Sequence, residues 1–371
     1  MTTAAPIYLN NAGTSWPKPP VVAEAVADTL AADPRAHEAI FDRARAVIAG
    51  FFGVAAPTQL LLTPACTSAL TVALENLPWE TGDVVVTSSL EHHALIRPIE
   101  ALARLRGVVH RVIGYRPGRP FDLDELADAL AGGRVRVVAV TAASNVTGEL
   151  LPVREIVALA RRRGALSLID GAQTAGLAPL AVDALGADML TFAGHKAPLG
   201  PQGIGGLWIG DGVKFAATSA RCLAGACVVS GAPPSYCDTG SVPLAAAAGL
   251  AASLSWLQAA APSPWEHARG LAVALRAGLR ARERCVIFGG DGPHTAAVSL
   301  QLPDLPLARA EAFFRERGLL VRAGRHCAPL ALRALGCPEG TIRVSFGPFN
   351  RASDVAAILA AIDEALASRA P

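Results

Sequence analysis

The stretch Met189-Leu190-Thr191-Phe192-Ala193-Gly194-His195-Lys196-Ala197-Pro198-Leu199-Gly200-Pro201-Gln202-Gly203-Ile204-Gly205-Gly206 decides the fold. Its apolar start reads as a buried strand, and the glycines and prolines after Lys196 demand a tight loop. Lys196 therefore stands just past a strand end, either as a surface lysine in a turn or, where burial lowers its pKa, as an amine suited to Schiff-base chemistry. Only three lysines occur in 371 residues, Lys18, Lys196 and Lys214, so lysine chemistry has few candidates. Upstream, Leu168-Ile169-Asp170-Gly171-Ala172-Gln173 ends another apolar run on a carboxylate. An acid there is costly unless it caps a helix or meets a cation, and a protonated pyridine nitrogen is such a cation.

Working outward, strands are expected at 59–62, 84–87, 108–113, 135–141, 166–169, 189–192 and 206–209. Helical patterns at 67–77, 95–105, 123–130 and 153–162 alternate with them. That alternation defines an α/β fold with a mainly parallel seven-stranded sheet, whose ligands collect at the strands' carboxyl ends. Residues 212–243 read as an irregular loop. Beyond it, helices at 244–259, 264–284, 307–317 and 352–368 and strands at 296–302, 319–322 and 341–346 suggest a smaller α+β unit.

Other strand ends carry chemistry. Thr63-Pro64-Ala65-Cys66-Thr67-Ser68 opens a helix, whose free N–H groups suit a phosphate. Glu91-His92-His93 follows the strand at 84–87, where a histidine stacks on a ring, moves protons or is structural. Cys327 lies in Arg322-Ala323-Gly324-Arg325-His326-Cys327, and the expectation is that Arg325 and His326 favour its thiolate. Arg343, inside an apolar strand, needs a carboxylate from substrate or protein.

Together with Asn11-Ala12-Gly13-Thr14-Ser15, Ser144-Asn145-Val146-Thr147-Gly148, Asp170-Gly171-Ala172-Gln173-Thr174-Ala175-Gly176 and Arg343-Val344-Ser345, these motifs resemble the pyridoxal-phosphate cysteine desulfurases of the class V aminotransferase family. The His-Cys pair is similar to the group II branch. The resemblance implies the fold type I architecture, with a large unit of 15–255 and a small unit of 1–14 with 256–371. It implies pyridoxal 5'-phosphate as cofactor, joined to Lys196, which also moves protons. Asp170 would pair the ring nitrogen, Gln173 the ring hydroxyl, and His92 would stack on the ring. Thr67, His195 and Ser241 would hold the phosphate. Arg343, Asn145, Ala12 and Gly13 would bind L-cysteine, and Cys327 would take its sulfur as a persulfide for an acceptor protein or thiol. A homodimer is implied, with Ser241 reaching the partner. The same fold admits selenocysteine lyase, cysteine lyase or aminotransferase reactions, and a non-catalytic sulfur carrier or scaffold.

The chain departs from the pattern in three places. Asn10-Asn11-Ala12-Gly13 stands where Asp-Asn-Ala-Ala is usual, and Ala193 where a serine often bonds phosphate. In the 214–243 segment, Ser235-Tyr236-Cys237-Asp238-Thr239-Gly240-Ser241 stands where Arg-x-Glu-x-Gly-Thr is usual, with no arginine, and Cys222, Cys227 and Cys237 have a spacing that matches no standard metal site. No metal is expected; these thiols read as plain loop cysteines, with metal binding or a redox or sulfur-relay role as the alternatives.

Composition bounds the rest. With 33 basic and 31 acidic side chains the net charge is +2, which provides no general attraction to nucleic acid or an anionic membrane. The longest charge-free run, 239–265, is broken by Pro243, Pro262 and Pro264 and reads as a loop and a buried helix. Seven cysteines, an odd number, and no signal-like start lead to the expectation of reduced thiols in the cytoplasm.

Overall fold

Leu166–Asp170 forms the middle strand of a seven-stranded sheet because it is apolar on both faces, and its one interior polar residue is paid for locally. Ser167 donates from Oγ to Asp188 Oδ2 at 2.6 Å, and its N–H reaches the same oxygen at 2.7 Å. Across the sheet the order is Leu60–Thr63, Gly205–Ile209, Met189–Ala193, Leu166–Asp170, Val135–Thr141, Val84–Ser88 and Val109–Ile113. Gly205–Ile209 runs antiparallel to both neighbours, and the other pairings are parallel. The computed structural model describes residues 5–116, 119, 121–177, 181–216, 243–260 and 262–367.

The crossover helices Cys66–Glu75, His93–Arg106, Leu123–Ala131 and Val153–Arg162 lie where the sequence places them, within two residues at each end. Helix Leu244–Ala259 fills the charge-free run and buries Ala247, Leu250, Leu254 and Leu257. Among the described residues no single helix is long and apolar enough to cross a membrane.

Two helices that pack on Leu244–Ala259, namely Pro20–Ala31 and His37–Phe51, lack a clean sequence signature. The first has apolar residues off its buried face, and Leu30 is 76% exposed.

A four-stranded antiparallel sheet follows, in the order Arg322–Gly324, Thr341–Ser345, Ala297–Gln301, Val286–Phe288. The single strand expected at 319–322 is two pieces. Arg322–Gly324 joins this sheet, whereas Leu319–Leu320 pairs in parallel with Ile7–Tyr8. The helix expected over 264–284 ends at Arg280, and the short helix Pro329–Ala334 is an addition. The loop expected over 212–243 falls mostly outside the described residues, as do Ser241, Cys222, Cys227 and Cys237.

Gly205 lets the first turn of helix Cys66–Glu75 sit against the sheet. A Cβ there would lie 2.6 Å from Phe192 O and 2.9 Å from both Ala65 C and Cys66 N, all backbone atoms that cannot swing aside. We predict that Gly205→Ala costs about 1–3 kcal/mol, the usual range for overpacking, measured as a lower midpoint in urea at unchanged slope.

Candidate active site

The strand register places a polar row at the carboxyl end of the sheet. Thr141 is paired with Asp170, and Asp170 with Thr191, on three adjacent strands. All three are buried. Asp170 Oδ1 accepts from Ala172 N at 2.9 Å and from the Cys66 thiol at 3.4 Å, while Cys66 Sγ also lies 3.3 Å from Thr191 Oγ1. Burial, then the Asp170 charge, pushes the Cys66 thiol pKa well up, so it remains a protonated donor. No side chain caps the start of helix Cys66–Glu75, and Thr67 is exposed there. Thr141, Asp170, Cys66 and Thr67 line one cleft of about 80 Å³ with His92, Asn145, Gln173, His195 and Lys196.

Lys196 follows strand Met189–Ala193 on a loop fixed at both ends. Gly194 N–H bonds Ile204 O and Gly200 N–H bonds Gly194 O. Ser253 Oγ reaches Pro198 O at 2.6 Å, and Trp265 Nε1 reaches Ala197 O at 3.0 Å. The half-buried Lys196 has its amine pKa lowered, first by desolvation, with Asp170 opposing that shift. Lys18 Nζ donates to His195 O at 2.9 Å and to Ser15 Oγ at 2.7 Å, which ties the N-terminal segment to the lysine loop. Burial lowers Lys18 to about 8. His195 is lowered to about 4 by burial and by Lys196 and Lys18, and its buried Nδ1 has no partner among the described residues.

His92 caps the helix His93–Arg106: its Nδ1 accepts from Ala94 N at 3.1 Å, so the neutral ring carries its proton on Nε2. Burial and Lys196 lower its pKa to about 4. Behind it Glu91 is fully buried, bonded to Ser88 Oγ and, through Oε2, to Thr141 N at 2.8 Å. Desolvation raises its pKa to about 8, with Asp170 adding to the rise.

Next to the cleft-lining Asn145, Arg343 donates to Asn145 O at 2.7 Å and to Asn10 Oδ1 at 3.1 Å. Among the described residues it has no carboxylate partner, and its buried Nε is unpaired. Burial and Arg322 lower it to about 10, still a cation at neutral pH. Asn145 spends one Nδ2 hydrogen on His326 O at 2.7 Å, and its buried Oδ1 has no partner among the described residues. Ala12 N–H bonds Ser345 Oγ, Ala12 O accepts from Gln173 Nε2, and Gly13 N–H returns to Asn10 O. These contacts make the 10–13 segment a rim of the site.

Cys327 is exposed and lines the mouth with Thr67, His92 and His93. Its thiol is close enough to influence the titration of both Lys196 and Arg343. The expected charge pair beside it is absent. Burial holds His326 near 3, hence neutral, and Arg325 lies 3.7 Å from Glu339 at the surface. The described candidates thus converge on one cleft and its rim, and Cys66, Glu91 and Lys18 join them. The sequence signal for Cys66 was its place at the helix start; for Glu91, a carboxylate inside an apolar setting; for Lys18, its rarity.

A buried acid, a desolvated lysine and an open helix N-terminus at the carboxyl ends of parallel strands define a site of the pyridoxal-enzyme kind on an α/β fold. The class-V aminotransferase family model matches residues 7–358, and the chain belongs to that family. A probable cysteine desulfurase of Pseudomonas aeruginosa is 34% identical over 341 residues, covering 88% of this chain and 82% of that protein. A second from Pseudomonas putida is 33% identical, with coverages of 88% and 82%. Among solved structures, a cysteine desulfurase of Thermococcus onnurineus superimposes with a TM-score of 0.88 at 27% identity, covering 98% of this chain and 95% of that one. A cysteine desulfurase of Escherichia coli gives 0.87 at 25% identity, with the same coverages.

Glu91 makes stability depend on pH. Its folded-state pKa of about 8 lies above the ordinary 4.5, so between those values the folded chain keeps a proton that the unfolded chain releases. That contribution is full below about 4.5 and is lost as pH rises through about 8. Glu91→Gln should flatten this part of the profile, read as melting temperature against pH.

Proposed function

We propose that the chain is a pyridoxal-phosphate cysteine desulfurase that converts L-cysteine to L-alanine and holds the sulfur on Cys327 as a persulfide. One observation carries the reading: an exposed Cys327 lines a pocket with Thr67 and His92, and these two residues also line the cleft of Lys196 and Asp170. The unpaired buried atoms fit the cofactor and substrate: Arg343 Nε suits a carboxylate, and His195 Nδ1 and the uncapped helix start suit a phosphate. Bound pyridoxal phosphate supplies an electron sink that weakens bonds at the substrate's α and β carbons.

The protein's part follows from its own groups. Asp170 would supply negative charge to a protonated ring nitrogen, Gln173 would bond the ring hydroxyl, and His92 would face the ring. Lys196 would hold the cofactor and move the α proton. Thr67, His195 and the helix start would hold the phosphate. Arg343, supported by Asn145 and the Ala12–Gly13 rim, orients the substrate carboxylate. The Cys327 thiolate attacks the substrate sulfur: an S–S bond forms, the carbon–sulfur bond breaks, and the electron pair left on the β carbon takes a proton to give alanine.

The same reading includes transfer of the persulfide sulfur to an acceptor protein or thiol, for which the exposure of Cys327 is the support. It includes a homodimer, with Ser241 at the partner's phosphate, and a cytoplasmic setting with reduced cysteines. The division into 15–255 and 1–14 with 256–371 is supported by Ile7–Tyr8 pairing with Leu319–Leu320.

Incubation with L-cysteine and a reductant, with alanine and sulfide measured, tests the proposal. Cys327→Ala should lose at least about 10²-fold in turnover while keeping the bound cofactor's visible band. Lys196→Ala should lose that band as well; equal turnover by Cys327→Ala would remove it from the reaction. Arg343→Lys, which cannot grip a carboxylate in a fork, should raise KM by roughly tenfold.

A further inference from the structure

Cys327 sits in a backbone conformation that its own residues do not favour. His326 has φ +48° and Cys327 φ +54°, two consecutive side-chain-bearing residues in the left-handed region. Such a turn persists only where its surroundings over-determine it. Three contacts do so. Asn145 Nδ2 holds His326 O at 2.7 Å, His93 N–H holds Cys327 O at 2.8 Å, and His326 Nε2 lies 2.9 Å from both Thr341 O and Thr341 Oγ1.

The direction of the last contact is set by the partners behind it. Val146 O only accepts, so Ser299 Oγ, 2.6 Å away, donates to it. Ser299 then receives the Thr341 hydroxyl proton at 3.1 Å. Thr341 is left with lone pairs alone toward His326, so Nε2 carries the ring's proton. Val146, Ser299 and Thr341 are fully buried, and the donor chain runs without a gap from the imidazole to the strand-end loop that also supplies Asn145. Asn145 O is in turn held by Arg343.

We propose that His326 is a positioning residue: its Nε2–H, fixed by the Thr341–Ser299–Val146 chain, pins the left-handed turn that presents the Cys327 thiol to substrate seated at Arg343. Burial keeps His326 neutral, which leaves this tautomer populated across the working pH range. The proposal rests on the desulfurase reading for the role of Cys327, while the pinning of the turn stands on its own geometry.

The test compares His326→Leu, His326→Gln and Thr341→Val in the cofactor-loaded protein. Gln keeps an N–H donor near the position of Nε2, Leu keeps bulk alone, and Val removes the Thr341 hydroxyl while leaving its carbonyl. Two readouts are taken: the kcat and KM split for L-cysteine, and hydrogen exchange at the Ala328 amide, which closes the turn on Arg325 O at 3.0 Å. His326→Leu should lower kcat at least about tenfold with KM within about twofold, and should speed that exchange at least about tenfold. His326→Gln should recover most of both, with Thr341→Val in between. Unchanged exchange in His326→Leu, a loss confined to KM, or a Gln variant as impaired as Leu would overturn the proposal. Absence of alanine from the wild-type protein would count against the desulfurase reading, and exchange would still decide whether His326 pins the turn.

Discussion

A carboxylate buried at the middle of a sheet organises this molecule. Asp170 has its backbone in a parallel ladder and its side chain facing the cleft, where only one oxygen is engaged by described protein donors. Burying such a charge is unfavourable unless opposite charge or donors gather around it. The arrangement follows that need: a thiol and a backbone N–H bond Oδ1, Lys196 acts on it electrostatically, and the adjacent Glu91 is held with a pKa near 8. A second full negative charge beside Asp170 is thereby avoided at neutral pH.

The same economy shapes the rim. Backbone carbonyls there are held by cations or amides: His195 O by Lys18, Asn145 O by Arg343, His326 O by Asn145. Each holds one loop against another, so Lys196, Arg343 and Cys327 are fixed relative to one another by few, short contacts. A site whose polar groups are held in place beforehand limits the reorganisation that a reaction requires.

Much of this was legible in the sequence because the deciding residues sit at strand ends, where apolar runs stop on a single polar group. The runs ending at Asp170 and before Lys196 gave both the parallel sheet and the cleft. The reading fails where tertiary contacts override local pattern. Arg325 and His326 flank Cys327 in sequence, yet one pairs at the surface and the other is buried and neutral, so proximity along the chain did not become positive charge around the thiol. The run at 319–322 looks like one strand, but its halves serve two sheets. Lys18 carries no local signal of its contact with His195, 177 residues away.

The parallel pairing of Ile7–Tyr8 with Leu319–Leu320 bears on how the chain becomes active during synthesis. The amide of Asn11 bonds Asn350 across 339 residues, and Arg343 completes the wall against Asn10 across 333. The seven-stranded sheet needs nothing beyond residue 209 and can form while the ribosome is still working, since domains fold as units with the earlier part first. The rim cannot: its first strand must wait, unpaired, until the last third of the chain has emerged. Contacts of such sequence separation are the slow ones to form. The loop that carries Lys196, anchored by Ser253 and Trp265, can therefore form before the segments that bring Cys327 and Arg343 to the rim.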